Sequence, residues 1–190
     1  MRHDLRVQIG DVNIIRIDGP AEAAAYRASF VGAYQTVWSE APYNEEFYPY
    51  EAEAVLQRQL QIPEHITLLA VRGISTVVGF GFAVPLRYRQ DVMQEMAGLL
   101  PPMHTMYLAE LGVLKDWRGK GLGGAMEDER LRFVDGNKYS HVLLRTSTST
   151  GYALYESRGF EDIGVYMEVR SRRVNGGVST DRRLFLSKVL

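Results

Sequence analysis

The second half of the sequence alternates apolar runs of strand length with segments of helical pattern. Met106–Leu114 and His141–Thr146 predict strands, and predicted helices follow them at Gly121 to about Val134 and at Thr150–Arg158. Strands that alternate with helices pack into one sheet with the helices on its faces. The alternation therefore predicts a mixed, partly parallel sheet.

The remaining segments extend the same sheet. Turn residues and short apolar runs mark five further strands, and Ala-rich or periodic stretches mark two helices. These predicted elements are the strands Val12–Ile17, Thr67–Val71, Thr76–Val84, Ile163–Val169 and Arg183–Leu190, and the helices Ala21 to about Trp38 and Glu51–Gln61. The predicted fold class is an α/β sandwich with a mixed seven-stranded sheet flanked by helices.

Size and charge limit the classes of protein to consider. A chain of 190 residues is long enough for one well-buried core, so we expect a single domain over residues 1–190. The 22 Lys and Arg nearly balance the 23 Asp and Glu, which does not favour nucleic-acid or anionic-membrane binding. No apolar run is long enough to span a bilayer. The polar stretch 1–10 does not resemble a signal peptide, so we expect a cytoplasmic protein.

Several site chemistries are excluded or disfavoured. The sequence contains no cysteine, which excludes disulfides, thiolate metal sites and a cysteine nucleophile. The four histidines show no metal-ligand spacing, and we expect no metal site; they are His3, His65, His104 and His141.

A glycine-rich turn joins a predicted strand to a predicted helix between Leu111 and Gly124. Glycine allows the backbone to approach a ligand closely, and the free N–H groups and dipole of a helix N-terminus favour an anion. Arg118 and Lys120 add positive charge there. The turn therefore predicts a site for a phosphate-bearing ligand.

Two common phosphate motifs fit this turn poorly. A P-loop requires Ser or Thr after Gly-Lys, and here Gly121 follows Lys120. Gly119-x-Gly121-x-x-Gly124 matches a dinucleotide fingerprint, which also needs an acid at the end of the next strand. That strand ends in Arg145 and Thr146.

The turn resembles the acetyl-CoA motif of the GCN5-related N-acetyltransferase (GNAT) family. Arg118-x-x-Gly121-x-Gly123 matches the family signature, with the expected aromatic Trp117 before it and the β-branched Val113 five residues before the Arg. A second family motif is matched by Leu154-Tyr155-Glu156-Ser157-Arg158-Gly159-Phe160. The sequence departs from the family at Thr148, where Asn is common, and at Gly151, where Ala is common.

The resemblance implies how acetyl-CoA binds as co-substrate. The fourth and fifth of the seven predicted strands should splay apart, and pantetheine should lie in the gap along the backbone of Leu111 and Val113. The backbone N–H groups of the turn should hold the pyrophosphate. The implied cofactor-binding residues are Leu111, Val113, Arg118, Gly119, Lys120, Gly121, Leu122, Gly123 and Gly124.

Two residues are candidates for proton transfer. Glu110 is an acid within an apolar strand and could accept a proton from the substrate ammonium, or it could be a surface carboxylate. Tyr155 occupies the position of the family's general acid, which protonates the departing thiolate, or it could be a core aromatic. Tyr107 and Tyr152 are its rivals.

The acceptor is harder to predict. Aromatic and acidic residues cluster between the first two predicted helices, and they could bind a cation or simply form a solvated turn with a hydrophobic staple. They are Trp38, Glu40, Tyr43, Glu45, Glu46, Phe47, Tyr48, Tyr50, Glu51 and Glu53. We expect a small-molecule amine as acceptor. The alternatives are a protein N-terminus or lysine, and a non-catalytic CoA sensor. The resemblance is compatible with a homodimer, and Arg87–Met103 could form a lid or a dimer contact.

Overall fold

A computed structural model describes residues 7–147 and 151–190 of the protein. These residues form eight β-strands: β1 (Val7–Ile9), β2 (Val12–Arg16), β3 (Ile66–Arg72), β4 (Thr76–Pro85), β5 (Thr105–Val113), β6 (His141–Thr146), β7 (Glu161–Arg172) and β8 (Val178–Val189). They also form six α-helices: α1 (Pro20–Ala23), α2 (Arg27–Ser39), α3 (Pro49–Gln61), α4 (Gln90–Glu95), α5 (Leu122–Arg132) and α6 (Tyr152–Glu156). Thr148 and the predicted helix start at Thr150 lie outside the described residues.

All eight strands belong to one sheet in the order β1-β2-β3-β4-β5-β6-β8-β7. The β5–β6 pair is parallel and the other pairs are antiparallel. The predicted mixed sheet flanked by helices is therefore confirmed. The predicted number of seven strands is wrong, because Val7–Ile9 adds an edge strand through a turn at Gly10 and Asp11. Three residues beside a polar N-terminus are too few to show an alternating pattern.

Helices cover both faces of the sheet. On one face α5 and α6 pack through Leu122, Met126 and Tyr155 into a cluster with strand residues such as Leu68 and Leu144. On the other face α2 and α3 form a second cluster, which contains an aromatic group of Phe30, Tyr34, Phe80 and Phe82. No helix in the described part of the chain is long and apolar enough to cross a membrane.

The segment between β4 and β5 packs against the sheet on the α2–α3 side. Val92 of α4 and Met96 are fully buried beside Tyr107 and Leu143. The same segment places the Arg89 guanidinium 4.9 Å from the centre of the Tyr107 ring. The Arg87–Met103 segment thus contains a short helix, and its Arg89 contributes a guanidinium beside β5.

Two irregularities in β5 open the sheet. The register with β4 shifts between Phe82, which pairs with Glu110, and Ala83, which pairs with Leu108, so Ala109 is an extra bulged residue. The parallel pairing with β6 ends at Leu108 and Leu144. A bulge bends its strand and increases its twist. The splay expected between the fourth and fifth predicted strands is therefore found between β5 and β6, and it begins beside Glu110.

Candidate active site

Glu110 lies where β5 and β6 separate and faces the α2–α3 side of the sheet. It lines two adjacent clefts of about 400 and 370 Å³. Its side chain makes no ion pair or hydrogen bond with another of the described residues. Burial raises the pKa of the Glu110 carboxyl to about 7, although Arg89, Arg145 and Arg183 act in the opposite direction. A carboxyl group with this pKa can bind and release a proton near neutral pH.

The glycine turn lies at the end of β5 and leads into α5. Gly119 and Gly121 have φ angles of +71° and +85°, in the left-handed region that favours glycine. Gly121 is the N-cap of α5. A Cβ atom added at Gly119 or at Gly121 would meet no atom of another part of the chain within 4 Å. The space at Gly123 is nearly as open, because an added Cβ atom would have Val113 Cγ2, at 3.8 Å, as its nearest neighbour. The turn therefore presents free N–H groups to open space, as an anion site requires.

The side chains of the turn are less available than its backbone. The Arg118 Nε atom donates to the carbonyl oxygen of Val113 at 2.8 Å, and its Nη2 atom lies 2.6 Å from a carboxylate oxygen of Glu40. Lys120 is exposed, with Nζ 5.1 Å from the centre of the Trp117 ring. A Cβ at Gly124 would lie 2.7 Å from Arg158 Nη2, so this glycine makes room for Arg158. The phosphate-binding roles of these residues remain predictions.

Tyr155 is buried in the cluster on the α5 side, where its ring packs edge-on against Phe160 at 5.8 Å between centroids. A Cβ at Gly151 would lie 2.8 Å from both the Tyr155 ring and Thr146 Oγ1, so Gly allows the ring to approach the end of β6. Burial raises the pKa of the Tyr155 hydroxyl well above its usual range, and the Arg130 guanidinium opposes this shift. The hydroxyl therefore stays protonated at neutral pH.

The two rival tyrosines occupy different environments. Tyr107 is fully buried under Arg89, in the cluster formed with α4. Tyr152 is partly buried one turn before Tyr155 on α6 and packs against the same cluster as Tyr155. Tyr155 thus combines burial with a place beside the end of β6.

The larger cleft beside Glu110 is bounded by α2, by α3 and the segment before it, and by the strands β5, β6, β7 and β8. One wall is closed by main-chain hydrogen bonds. The Glu46 N–H donates to the Arg172 carbonyl at 2.9 Å, and the Val174 N–H donates to the Asn44 carbonyl at 3.1 Å. The segment before α3 and the end of β7 are therefore joined, and this wall of the cleft is continuous.

The acids expected to attract a cation are largely paired with arginines of the same chain. Arg172 lies 3.1 Å from Glu46 and 2.5 Å from Glu51, and Arg183 pairs with Glu45. Arginines also occupy the faces of two aromatic residues of the expected cluster, Arg172 over Tyr48 and Arg183 over Tyr43. Strands β7 and β8 therefore supply charge that compensates these acids, and the binding of a cationic acceptor by the cluster stays a prediction.

The arginines around Glu110 were not predicted from the sequence. Arg145 is a single charge within an apolar strand, which is the same signal that identified Glu110. Arg183 and Arg172 lie on strands distant in sequence, and only the pairing of β8 with β6 and β7 brings them to the cleft. Among residues 7–147 and 151–190, no group of three or more acids or histidines is arranged to hold a metal ion.

Comparison with known proteins identifies the class to which this fold and site belong. The model of the acetyltransferase (GNAT) family matches residues 30–160, and the chain belongs to that family. No curated protein matches the chain.

Solved acetyltransferases share the fold. A ribosomal-protein-alanine N-acetyltransferase from Brucella melitensis is 18% identical with a TM-score of 0.66, over 93% of this chain and 99% of that chain. A GNAT acetyltransferase from Streptococcus pneumoniae is 19% identical with a TM-score of 0.62, over 94% and 99%. An aminoglycoside 6'-acetyltransferase type Ii is 17% identical with a TM-score of 0.60, over 92% and 96%. At these identities the likeness describes the fold.

Proposed function

We propose that the protein transfers an acetyl group from acetyl-CoA to a primary amine of a small molecule, by direct attack of the amine on the thioester. The amine nitrogen forms a bond to the thioester carbonyl carbon, and the bond from that carbon to sulfur breaks. The nitrogen loses a proton and the leaving thiolate gains one. The protein must therefore supply a base on the amine side and an acid on the thiol side.

The observation that carries this proposal is the position of Glu110 in the cleft together with the raised pKa of its carboxyl group. A lysine-like ammonium has a reference pKa of about 10.4, so it must lose a proton before it attacks. Glu110 lines the cleft where β5 and β6 separate, and burial raises its pKa to about 7. It can therefore accept the proton, directly or through a water, at a pH where an ordinary carboxylate is a weaker base.

The backbone at the splay and the turn fits acetyl-CoA. Because β6 pairs with β5 only as far as Leu108, the edge of β5 from Ala109 to Val113 is free to bind pantetheine in the manner of an added strand. The N–H groups from Gly119 to Gly124 suit a pyrophosphate, whereas the Arg118 N–H donates to the Lys115 carbonyl oxygen at 3.1 Å. A strand N–H aimed at the thioester oxygen would stabilise the negative charge that develops there.

Tyr155 is the proposed acid for the leaving thiolate. Its raised pKa keeps the hydroxyl protonated, and its ring lies beside the end of β6 next to the splay. The sequence contains no cysteine that could carry the acetyl group as a thioester. Direct transfer between the two substrates is therefore the simplest reaction for these residues.

The closed wall of the cleft favours a small acceptor. A volume of about 400 Å³ with a hydrogen-bonded wall from the residues before α3 to β7 suits a compact ligand better than an extended chain. The fold neighbours include a protein that acts on a ribosomal-protein alanine and one that acts on aminoglycosides. Fold alone therefore does not decide the acceptor.

An acetyl-transfer assay over a panel of amines tests the proposal. The panel should contain small aliphatic amines, amino acids, aminoglycosides and short peptides with free N-termini, and CoA release should be compared with acetylated product. We expect transfer to at least one small amine. In parallel, acetyl-CoA should raise the melting temperature more than NAD or ATP does, because it binds the native state. Stabilisation by NAD without stabilisation by acetyl-CoA would overturn the proposal.

A further inference from the structure

Most charges around the larger cleft are already neutralised. Of the acidic side chains that line it, Glu46 and Glu51 pair with Arg172, and Glu45 pairs with Arg183. These contacts bind α3 and the segment before it to the last two strands. Of the carboxylates that line the cleft, Glu110 therefore remains without an ion pair among the described residues.

Two further arginines line the cleft, Arg145 and Arg170; Arg170 is exposed to solvent, whereas Arg145 is largely buried. Its side chain is 15% exposed, and its Nη1 atom donates to the sulfur of Met167 at 2.8 Å. The nearest carboxylate oxygen is that of Asp91 at 4.0 Å, and Asp91 already accepts two hydrogen bonds from Arg89, at 3.2 and 3.1 Å. Because the Asp91 carboxylate serves two guanidinium groups, Arg145 has no carboxylate of its own among the described residues.

The cleft also has hydrogen-bond donors without acceptors. Trp38 Nε1 and Arg183 Nε are buried without a partner among the described residues, and both residues are 8% exposed. Ser171 Oγ is buried and unpartnered in the same way. All three residues line the cleft. A buried donor left without an acceptor costs about 1–3 kcal/mol, so these groups require acceptor oxygens from a ligand or from water.

We propose that the acceptor is a small amine that also carries a carboxylate, as an amino acid does, with its carboxylate bound by Arg145 and its amine directed at Glu110. This inference rests on the proposed acetyl transfer and specifies its substrate class. A planar carboxylate accepts two parallel hydrogen bonds from one guanidinium, and its oxygens can also accept from the unpartnered donors. A singly charged carboxylate suits the one guanidinium of Arg145 better than a doubly charged phosphate does.

Matched pairs of acceptors test the inference on the wild-type protein. Each pair consists of an amino acid and its primary amide, which keep the same amine and side chain and differ in the negative charge. We expect kcat/KM to be at least tenfold higher for the acid than for the amide, although the amide has more free amine at neutral pH. Transfer to amines with no preference for the acid would overturn the inference and leave the acetyltransferase proposal standing. Absence of transfer to any amine would overturn both.

A substitution assigns the preference to Arg145. In the Arg145→Gln variant, the kcat/KM values for the acid and for the amide should differ by no more than about threefold. The control is Arg182→Gln, an exposed arginine on β8 that does not line the cleft and should keep the wild-type ratio. Calorimetry should show weaker binding of the amino acid to Arg145→Gln in the presence of CoA. An unchanged ratio and unchanged binding in Arg145→Gln would show that the carboxylate is bound elsewhere.

Discussion

The Nη1 atom of Arg130 donates a hydrogen bond to the backbone carbonyl oxygen of Glu110 at 2.6 Å. The same atom donates to the carbonyl oxygen of Phe82 at 3.1 Å, and Phe82 is the residue opposite Glu110 at the bulge. Arg130 is fully buried and pairs with the equally buried Glu127. The guanidinium therefore holds together two strands at the point where the bulge interrupts their ladder, which fixes the backbone that carries the candidate base.

Loss of Arg130 should destabilise the protein strongly. Breaking a buried ion pair costs about 3–5 kcal/mol, because the remaining charge stays buried without compensation. Arg130→Met should lower the free energy of unfolding by that amount, and adding Glu127→Leu should restore part of it. The matched control is Arg132→Met, since Arg132 pairs with Glu129 at the same spacing on α5 but is half exposed; it should cost about 1 kcal/mol or less. Urea unfolding measures all four proteins, and equal losses in the two single variants would contradict the prediction.

Glu110 should make stability depend on pH. The carboxyl group titrates near 4.5 in the unfolded chain and near 7 in the folded protein, so between these values the folded state binds the extra proton. Stability should therefore fall as pH rises from about 4.5 to about 7, by on the order of 3 kcal/mol.

Glu110→Gln isolates this contribution. The variant should lose that part of the pH dependence and gain stability relative to wild type above pH 7. Unfolding free energies at pH 4.5, 6 and 8 measure the effect. Glu168→Gln, at an exposed position on β7, serves as control and should follow the wild-type profile. If the unfolding free energies of wild type and Glu110→Gln changed with pH in the same way, the pKa of the Glu110 carboxyl would not be raised in the folded protein.

Gly123 provides the cleaner test of the phosphate-binding turn. Gly121→Val would introduce strain directly, because Gly121 has a positive φ, whereas Gly123 is helical and open. Gly123→Val should lower acetyl-CoA affinity tenfold or more, about 1.4 kcal/mol, by placing a branched side chain where the pyrophosphate approaches.

A control separates this effect from the general cost of Val in a helix. Gly32 of α2 is exposed, with open space at its α-carbon, and lies away from the turn. Gly32→Val should keep wild-type acetyl-CoA affinity in calorimetric titration. A folded Gly123→Val protein with unchanged affinity would place the phosphates elsewhere.

Tyr155→Phe removes one hydroxyl and keeps the ring packed against Phe160. If the hydroxyl protonates the leaving thiolate, kcat and kcat/KM should both fall by about a hundredfold, with acetyl-CoA affinity nearly unchanged. Glu110→Gln should differ, because its activity should recover as pH rises and free amine becomes available. Tyr152→Phe, on the same helix, is the matched control and should retain activity. A Tyr155→Phe enzyme within about threefold of wild type across pH would make Tyr155 a core aromatic.

Local patterns in the sequence were sufficient for much of the fold and for the residues near the turn. Alternating apolar runs predicted β5, β6 and the helices after them, and the spacing of glycines after β5 predicted the N-terminus of α5. Each of these depends on contiguous residues whose periodicity is visible in the chain. Glu110 was predictable for the same reason, as a single acid in an apolar strand.

The electrostatics of the cleft were not predictable from local patterns. Arg183 reaches Glu45, and Arg172 reaches Glu51, across more than a hundred residues of sequence. These pairs depend on the register of β7 and β8, which shifts between Asp162 and Tyr166. Arg130 was missed because its position on α5 is typical of a solvated helix residue, and only the packing of α5 against the bulge buries it.

Direct transfer of the acetyl group is tested most directly with acetyl-CoA labelled in its acetyl group. The protein should be incubated with it in the presence and absence of the best amine from the panel, and the label should be followed on protein, amine and free acetate. Label should move to the amine in step with CoA release, and without amine the protein should remain unlabelled. Label bound covalently to the protein, or label released as acetate with no acetylated amine, would contradict direct transfer.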